Sequence, residues 1–114
     1  MYNNLNSNLV TEITDDFSIK NGVYAAYGYS AINDYIVFDV TNFDKVTITI
    51  SYSNALQYIT SFFNVYIDDV KQTLLNNVST IDLDVSKNSK LKIHVTYGNG
   101  ADGFAFYNGT VKRY

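Results

Sequence analysis

His94 is the chain's single histidine, so it alone has an ordinary pKa suited to general acid–base work near neutral pH. It stands between Lys92 and Thr96 at the two-residue spacing that puts all three on the polar face of a strand, where a histidine is more often surface than catalyst. A Ser-His-Asp arrangement would also need a nucleophile on a strained elbow and donors for an oxyanion. Nothing in the sequence marks such an elbow. Cysteine is absent, which removes thiolate nucleophiles, disulfides and Cys-ligated metals together.

The carboxylates pair at Asp15-Asp16 and Asp68-Asp69, and Asp82 and Asp84 share a strand face. Glycosidases use two carboxylates, but they flank a cleft and come as a rule from separate strands. Acids on a polar strand face mostly solvate it. The loop from Gly98 to Gly103 offers Asn99, Asp102 and main-chain carbonyls to calcium, yet it lacks the repeated acids of an EF-hand-type loop. The expectation is a chain that is not an enzyme and carries no cofactor, with calcium at that loop the one metal its residues could serve.

Tyrosine is the informative type. Of eleven, Tyr24, Tyr27, Tyr29 and Tyr35 crowd into one short stretch, and Tyr52, Tyr58, Tyr66, Tyr97 and Tyr107 are spread beyond it. Such rings serve sugar stacking and protein interfaces alike, and packing in a core or a subunit contact is the more frequent use. The candidate ligand-binding residues are Tyr27, Tyr29, Asn33 and Asp34 on one rim of the domain and Asn99 and Asp102 on another.

These residues need a scaffold, and its elements are written in periods of two. Val46, Ile48 and Ile50 alternate with Thr47, Thr49 and Ser51, and Leu91, Ile93, Val95 and Tyr97 alternate with Lys90, Lys92, His94 and Thr96. Ile81, Leu83 and Val85 form a third such set, and Phe63, Val65 and Ile67 a fourth. Tyr35 to Val40 and Gly103 to Tyr107 are further candidates, and Asn54 to Ser61 reads as a loop. Turn signals separate them at Lys20-Asn21-Gly22, Ser86-Lys87-Asn88-Ser89 and Gly98 to Gly103. No helical periodicity exists to supply a crossover, so parallel α/β folds are excluded. The expected fold is all-β: an antiparallel, jelly-roll-like β-sandwich of about eight strands.

With 114 residues, 46% hydrophobic and 17% charged, the chain suits one domain with a packed core. Residues 1–8 are polar and Asn-rich and read as a flexible arm, leaving 9–114 as the sandwich. A formal net charge of -3 and a sequence pI near 4.7 argue against nucleic acid, since no basic patch exists to displace counterions from phosphates. No stretch is long and apolar enough to span a bilayer, and the N-terminus lacks the pattern of a secretory signal.

The stretch Asn21-Gly22-Val23-Tyr24 through Tyr27-Gly28-Tyr29-Ser30, followed by Asp34-Tyr35-Ile36-Val37-Phe38-Asp39-Val40, resembles β-sandwich modules of tail-fibre, baseplate and receptor-binding proteins from phages of low-GC Gram-positive bacteria. Val46 to Tyr52, Phe63 to Asp69 and Leu91 to Tyr97 look like the strands that follow. The chain departs from that pattern in having no proline, with Thr41-Asn42-Phe43-Asp44 where a Pro-Gly turn is common. The resemblance implies a virion component made in the host cytoplasm, often homotrimeric, with other virion proteins and a cell-surface saccharide as partners. A second reading is a capsid decoration or assembly protein whose tyrosine-rich surface is buried against neighbouring subunits.

Overall fold

A computed structural model describes residues 2–4, 7–14, 17–20, 23–26, 34–52, 60, 63–95 and 104–112. Among the described residues eleven strands follow in chain order: β1 (Tyr2–Asn4), β2 (Val10–Ile13), β3 (Phe17–Lys20), β4 (Val23–Ala26), β5 (Asp34–Asp39), β6 (Lys45–Tyr52), β7 (Phe63–Ile67), β8 (Val70–Lys71), β9 (Thr80–Asp84), β10 (Lys90–Val95) and β11 (Phe104–Lys112). A single 3₁₀ turn, Ser7–Leu9, precedes β2.

The strands form two antiparallel sheets. One runs β3-β4-β11-β6-β9, and the other runs β2-β5-β10-β7-β8. Only β3–β4 and β7–β8 are successive strands of one sheet; at every other step from β1 to β11 the chain crosses to the opposite sheet, as a jelly-roll-like sandwich requires. The count exceeds eight because short strands flank the longer ones. Within the stretch expected to be an arm, Tyr2–Asn4 pairs with β11, with Tyr2 opposite Lys112 and Asn4 opposite Thr110. Ladder bonds are made by the main chain, so a polar segment without apolar alternation can still extend an edge.

The core lies between the sheets, where the alternating apolar sets meet. Ile36, Phe38 and Val40 face Val46, Ile48 and Ile50 across the interior, joined by Phe63, Val65, Ile67, Leu91, Ile93 and Val95. In the second sheet Ile93 stands between Ile36 on β5 and Val65 on β7, and Leu91 stands between Phe38 and Ile67. These cross-strand rows are the unit of sheet stability. At roughly 1.5–3 kcal/mol per fully buried aliphatic or aromatic side chain, they supply the main favourable free energy of the fold.

The connections follow local turn chemistry. The β7–β8 hairpin turns on Asp68 and Asp69, both with positive φ (46° and 67°). That is the mirror-image geometry that matches strand twist and that Asp tolerates better than most residues. The acid pair at 68–69 is therefore explained by the turn. Between β5 and β6 the Phe43 N–H donates to the Val40 carbonyl at 3.0 Å. Asp39 accepts from the Thr41 N–H and hydroxyl, so an Asx-type turn stands where the resembled pattern commonly has Pro-Gly. Asp84 receives the same pair of bonds from Ser86 ahead of β10.

Candidate functional site

The sheet β2-β5-β10-β7-β8 turns one face to the core and the other outward. Alternation puts Tyr35, Val37 and Asp39 of β5, Lys90, Lys92 and His94 of β10, and Asn64 and Tyr66 of β7 on the outward face. The register brings them into rows: Tyr35 lies opposite His94, which lies opposite Asn64, and Val37 lies opposite Lys92, which lies opposite Tyr66. Residues from three segments of the sequence thus share one surface.

Strand β2 adds a carboxylate by means of a bulge. Val10 pairs with inward Phe38, but Glu12 pairs with outward Val37, so Thr11 is an extra residue on β2. Without it, Val10 and Glu12 would share one face; with it, Val10 packs against the core while Glu12 joins the outer surface. A cleft of about 260 Å³ results, with Tyr35, Val37, Tyr66 and Lys92 along it and Glu12, Asp69 and Lys90 around it. A second cleft, of about 360 Å³, adjoins it at Glu12 and Lys90 and extends to Thr11, Asp39, Thr41 and Ser89.

Lys92 lines the first cleft together with both rings. Its Nζ stands 4.5 Å from the Tyr35 ring centroid and 6.0 Å from that of Tyr66, so the ammonium rests on the electron-rich face of one ring and at the edge of reach of the other. His94 meets the same Tyr35 ring edge-on, with centroids 6.4 Å apart and planes at 78°. Partial burial lowers the His94 pKa from 6.5 and the Lys92 charge adds to the effect, against a smaller opposing pull from Asp34. Its surroundings thus favour the neutral imidazole.

Asp68 braces one end of this surface. Its carboxylate accepts from the Lys90 N–H at 2.8 Å and from the Ser89 N–H and hydroxyl, tying the β7–β8 turn to the start of β10. The Lys90 N–H bond holds the Asp68 carboxyl below its ordinary range; desolvation opposes it as the next largest influence, and the Ser89 bonds and the Lys90 charge add smaller lowering effects.

Of the residues nominated from the sequence, Asp34 is described. It is buried, 8% exposed, and accepts a 2.9 Å hydrogen bond from the Thr14 hydroxyl, which also receives the Tyr35 N–H at 3.1 Å. These bonds anchor the end of β2 to the start of β5. Tyr27, Tyr29, Asn33, Asn99 and Asp102, the calcium candidate loop Gly98 to Gly103 and nearly all of the stretch Asn54 to Ser61 lie outside the described residues. Among the described residues no group of three His, Asp or Glu side chains could hold a metal ion. No helix there is long and apolar enough to cross a membrane.

Alternation along β10 suffices to put His94 on a polar strand face, where it stands, but not to bring Tyr35, Tyr66 and Lys92 together. Each occupies the polar phase of its own strand, and that shared phase was the available signal.

No family model matches the sequence, and no curated protein is significantly similar to it. Two solved structures share the fold over 99% of this chain, each with a TM-score of 0.53. One is CBM51-2 in complex with GlcNAc, with INT domains, from Clostridium perfringens ZmpB, at 14% identity. The other is CBM51-2 and INT domains of the same protein, at 15% identity. The chain spans 27% and 28% of their respective lengths. At such identity the likeness is one of fold: an all-β, antiparallel sandwich.

Proposed function

We propose that the chain is a non-catalytic saccharide-binding module of a phage virion, carried in a tail fibre or baseplate. It would be made in the host cytoplasm and act as a homo-oligomer, with trimers the form the resemblance favours. The observation that carries the saccharide reading is the outward cleft in which Tyr35 and Tyr66 flank Lys92, with carboxylates at its rim. Rings supply an apolar surface for the C–H face of a sugar, and charged groups around them supply acceptors and donors for its hydroxyls. Two further points support it: the fold likeness to a chain whose CBM51-2 is in complex with GlcNAc, and the resemblance of residues 21–40 to receptor-binding modules of phages. A cleft this open binds one site weakly, so useful adhesion comes from several copies acting together.

The architectural alternative, a capsid decoration or assembly protein, draws on Val70 and Leu75, which are 64% and 70% exposed at the β8 edge and in the segment after it. Apolar groups so placed are suited to burial against a neighbouring subunit.

One experiment separates the two. Purified chain is passed over immobilised cell-wall saccharide from low-GC Gram-positive bacteria, and its solution mass is measured by light scattering. Retention that soluble saccharide reverses, by a particle of three chains, is the expected result. A chain that ignores the saccharide and instead coats virions has the architectural role.

A further inference from the structure

We infer that the cleft between Tyr35 and Tyr66 takes a single uncharged sugar unit, stacked on Tyr66, and rejects acidic sugars. The inference rests on the saccharide-binding reading and adds the ligand's charge class and the ring that holds it.

The charge pattern comes first. Glu12 and Asp69 stand at the cleft with Lys90 and Lys92, so the formal charges of its described lining cancel. A sugar carboxylate or phosphate entering there meets as many negative groups as positive ones, and the loss of its own hydration is not repaid. Sites built for such anions use guanidinium forks that match two oxygens at once. Among the described residues this cleft has no arginine; the chain's single one, Arg113, lies outside them. An uncharged polyol has no such desolvation cost, and its hydroxyls can donate to Glu12 and Asp69 and accept from Lys90.

The two rings are not equivalent. The Lys92 ammonium stands over both rings, 4.5 Å from the Tyr35 centroid and farther off, at 6.0 Å, from that of Tyr66. Lys92 is thereby engaged with a ring of its own protein, and its charge is balanced within the site. Tyr66, directly across the ladder from Lys92, presents the less covered ring. Size sets the last limit. About 260 Å³ lies just below the roughly 300–1,000 Å³ of pockets that enclose drug-sized ligands, which suits one sugar ring in this cleft, with any second unit falling in the adjoining one.

The test uses polyacrylamide conjugates displaying glucose, galactose, rhamnose or N-acetylglucosamine, and matched conjugates displaying glucuronate or N-acetylneuraminate, immobilised and probed at low and high salt. Wild-type chain, Tyr66→Ala and Tyr66→Phe are compared, with folding verified by circular dichroism. Retention on at least one uncharged conjugate is expected, indifferent to salt, reduced about tenfold by Tyr66→Ala and kept by Tyr66→Phe. Preference for an acidic conjugate with loss at high salt overturns the inference and leaves saccharide binding standing. So does uncharged-sugar retention that Tyr66→Ala leaves intact, or that Tyr66→Phe abolishes. Retention on no conjugate at all overturns both.

Discussion

Lys92 and Tyr35 lie diagonally across the ladder between β10 and β5, with the lysine Nζ 4.5 Å from the tyrosine ring centroid. Val37, the residue directly opposite Lys92, is buried, so the lysine stem crosses an apolar surface and its head comes to rest on a ring. The contact couples two strands whose residues are more than fifty positions apart in sequence. A double-mutant cycle with Lys92→Met, which keeps the stem, and Tyr35→Leu should return a coupling of about 0.5–1 kcal/mol, the range of partly exposed cation–π pairs. Urea denaturation of the four proteins measures it, and additive effects would mean that the contact contributes nothing to stability.

His94 reports on the same cluster. Because burial, and then Lys92, lower its pKa from 6.5, the folded state binds its proton less readily than the unfolded state does. The stability so contributed is fully present above pH 6.5 and is lost as pH falls through the lower folded value. With one histidine in the chain, its ring resonances in an NMR titration need no assignment. The midpoint should lie below 6.5 in the wild type. Lys92→Met should move it upward, though not to the free value, since burial outweighs the lysine charge. An unmoved midpoint would show that Lys92 does not act on the imidazole.

Asp68 governs the acid limb of the stability curve. Its carboxyl is held below the ordinary 3.8 chiefly by the Lys90 N–H, and a depressed carboxyl stabilises the fold above its unfolded pKa and ceases to do so as pH falls through the folded one. Asp68→Asn keeps an acceptor oxygen and tolerates the positive φ, but removes the titration. The variant should be less stable than wild type at neutral pH, and the gap should narrow from about pH 5 downward. Thermal melts at a series of pH values check this; a gap independent of pH would assign the role of Asp68 to turn geometry alone.

What the sequence disclosed, and what it withheld, follows from the range of the forces involved. Alternation is local, so Val46-Ile48-Ile50 and Leu91-Ile93-Val95 announce strands and even name their buried faces. The structure buries all six. Pairing is not local: that β10 lies between β5 and β7, or that β11 lies between β4 and β6, is decided by packing across the whole chain. The site inherits that difficulty, because Tyr35, Tyr66 and Lys92 become neighbours only once β10 is inserted between β5 and β7. Thr11 shows a second reason. Its bulge puts Glu12 opposite Val37 and so reverses the face that a strict alternation from Val10 would assign.

The strand that carries Lys92 and His94 is also the strand on which the core most depends. Ile93 is fully buried between Ile36 and Val65, whereas Ile13, on the edge strand β2, is 40% exposed. Ile93→Ala leaves a void lined by close-packed neighbours and should cost about 2–5 kcal/mol, a large share of the roughly 5–15 kcal/mol that holds a domain folded. Ile13→Ala removes a side chain still partly in water, so less of its transfer free energy is at stake, and should cost less than about 1.5 kcal/mol. Equilibrium denaturation ranks the two directly. Equal costs would mean that the β10 row does not form the packed centre of the sandwich, and the outward cleft built on that strand would then lack the rigid support a binding site requires.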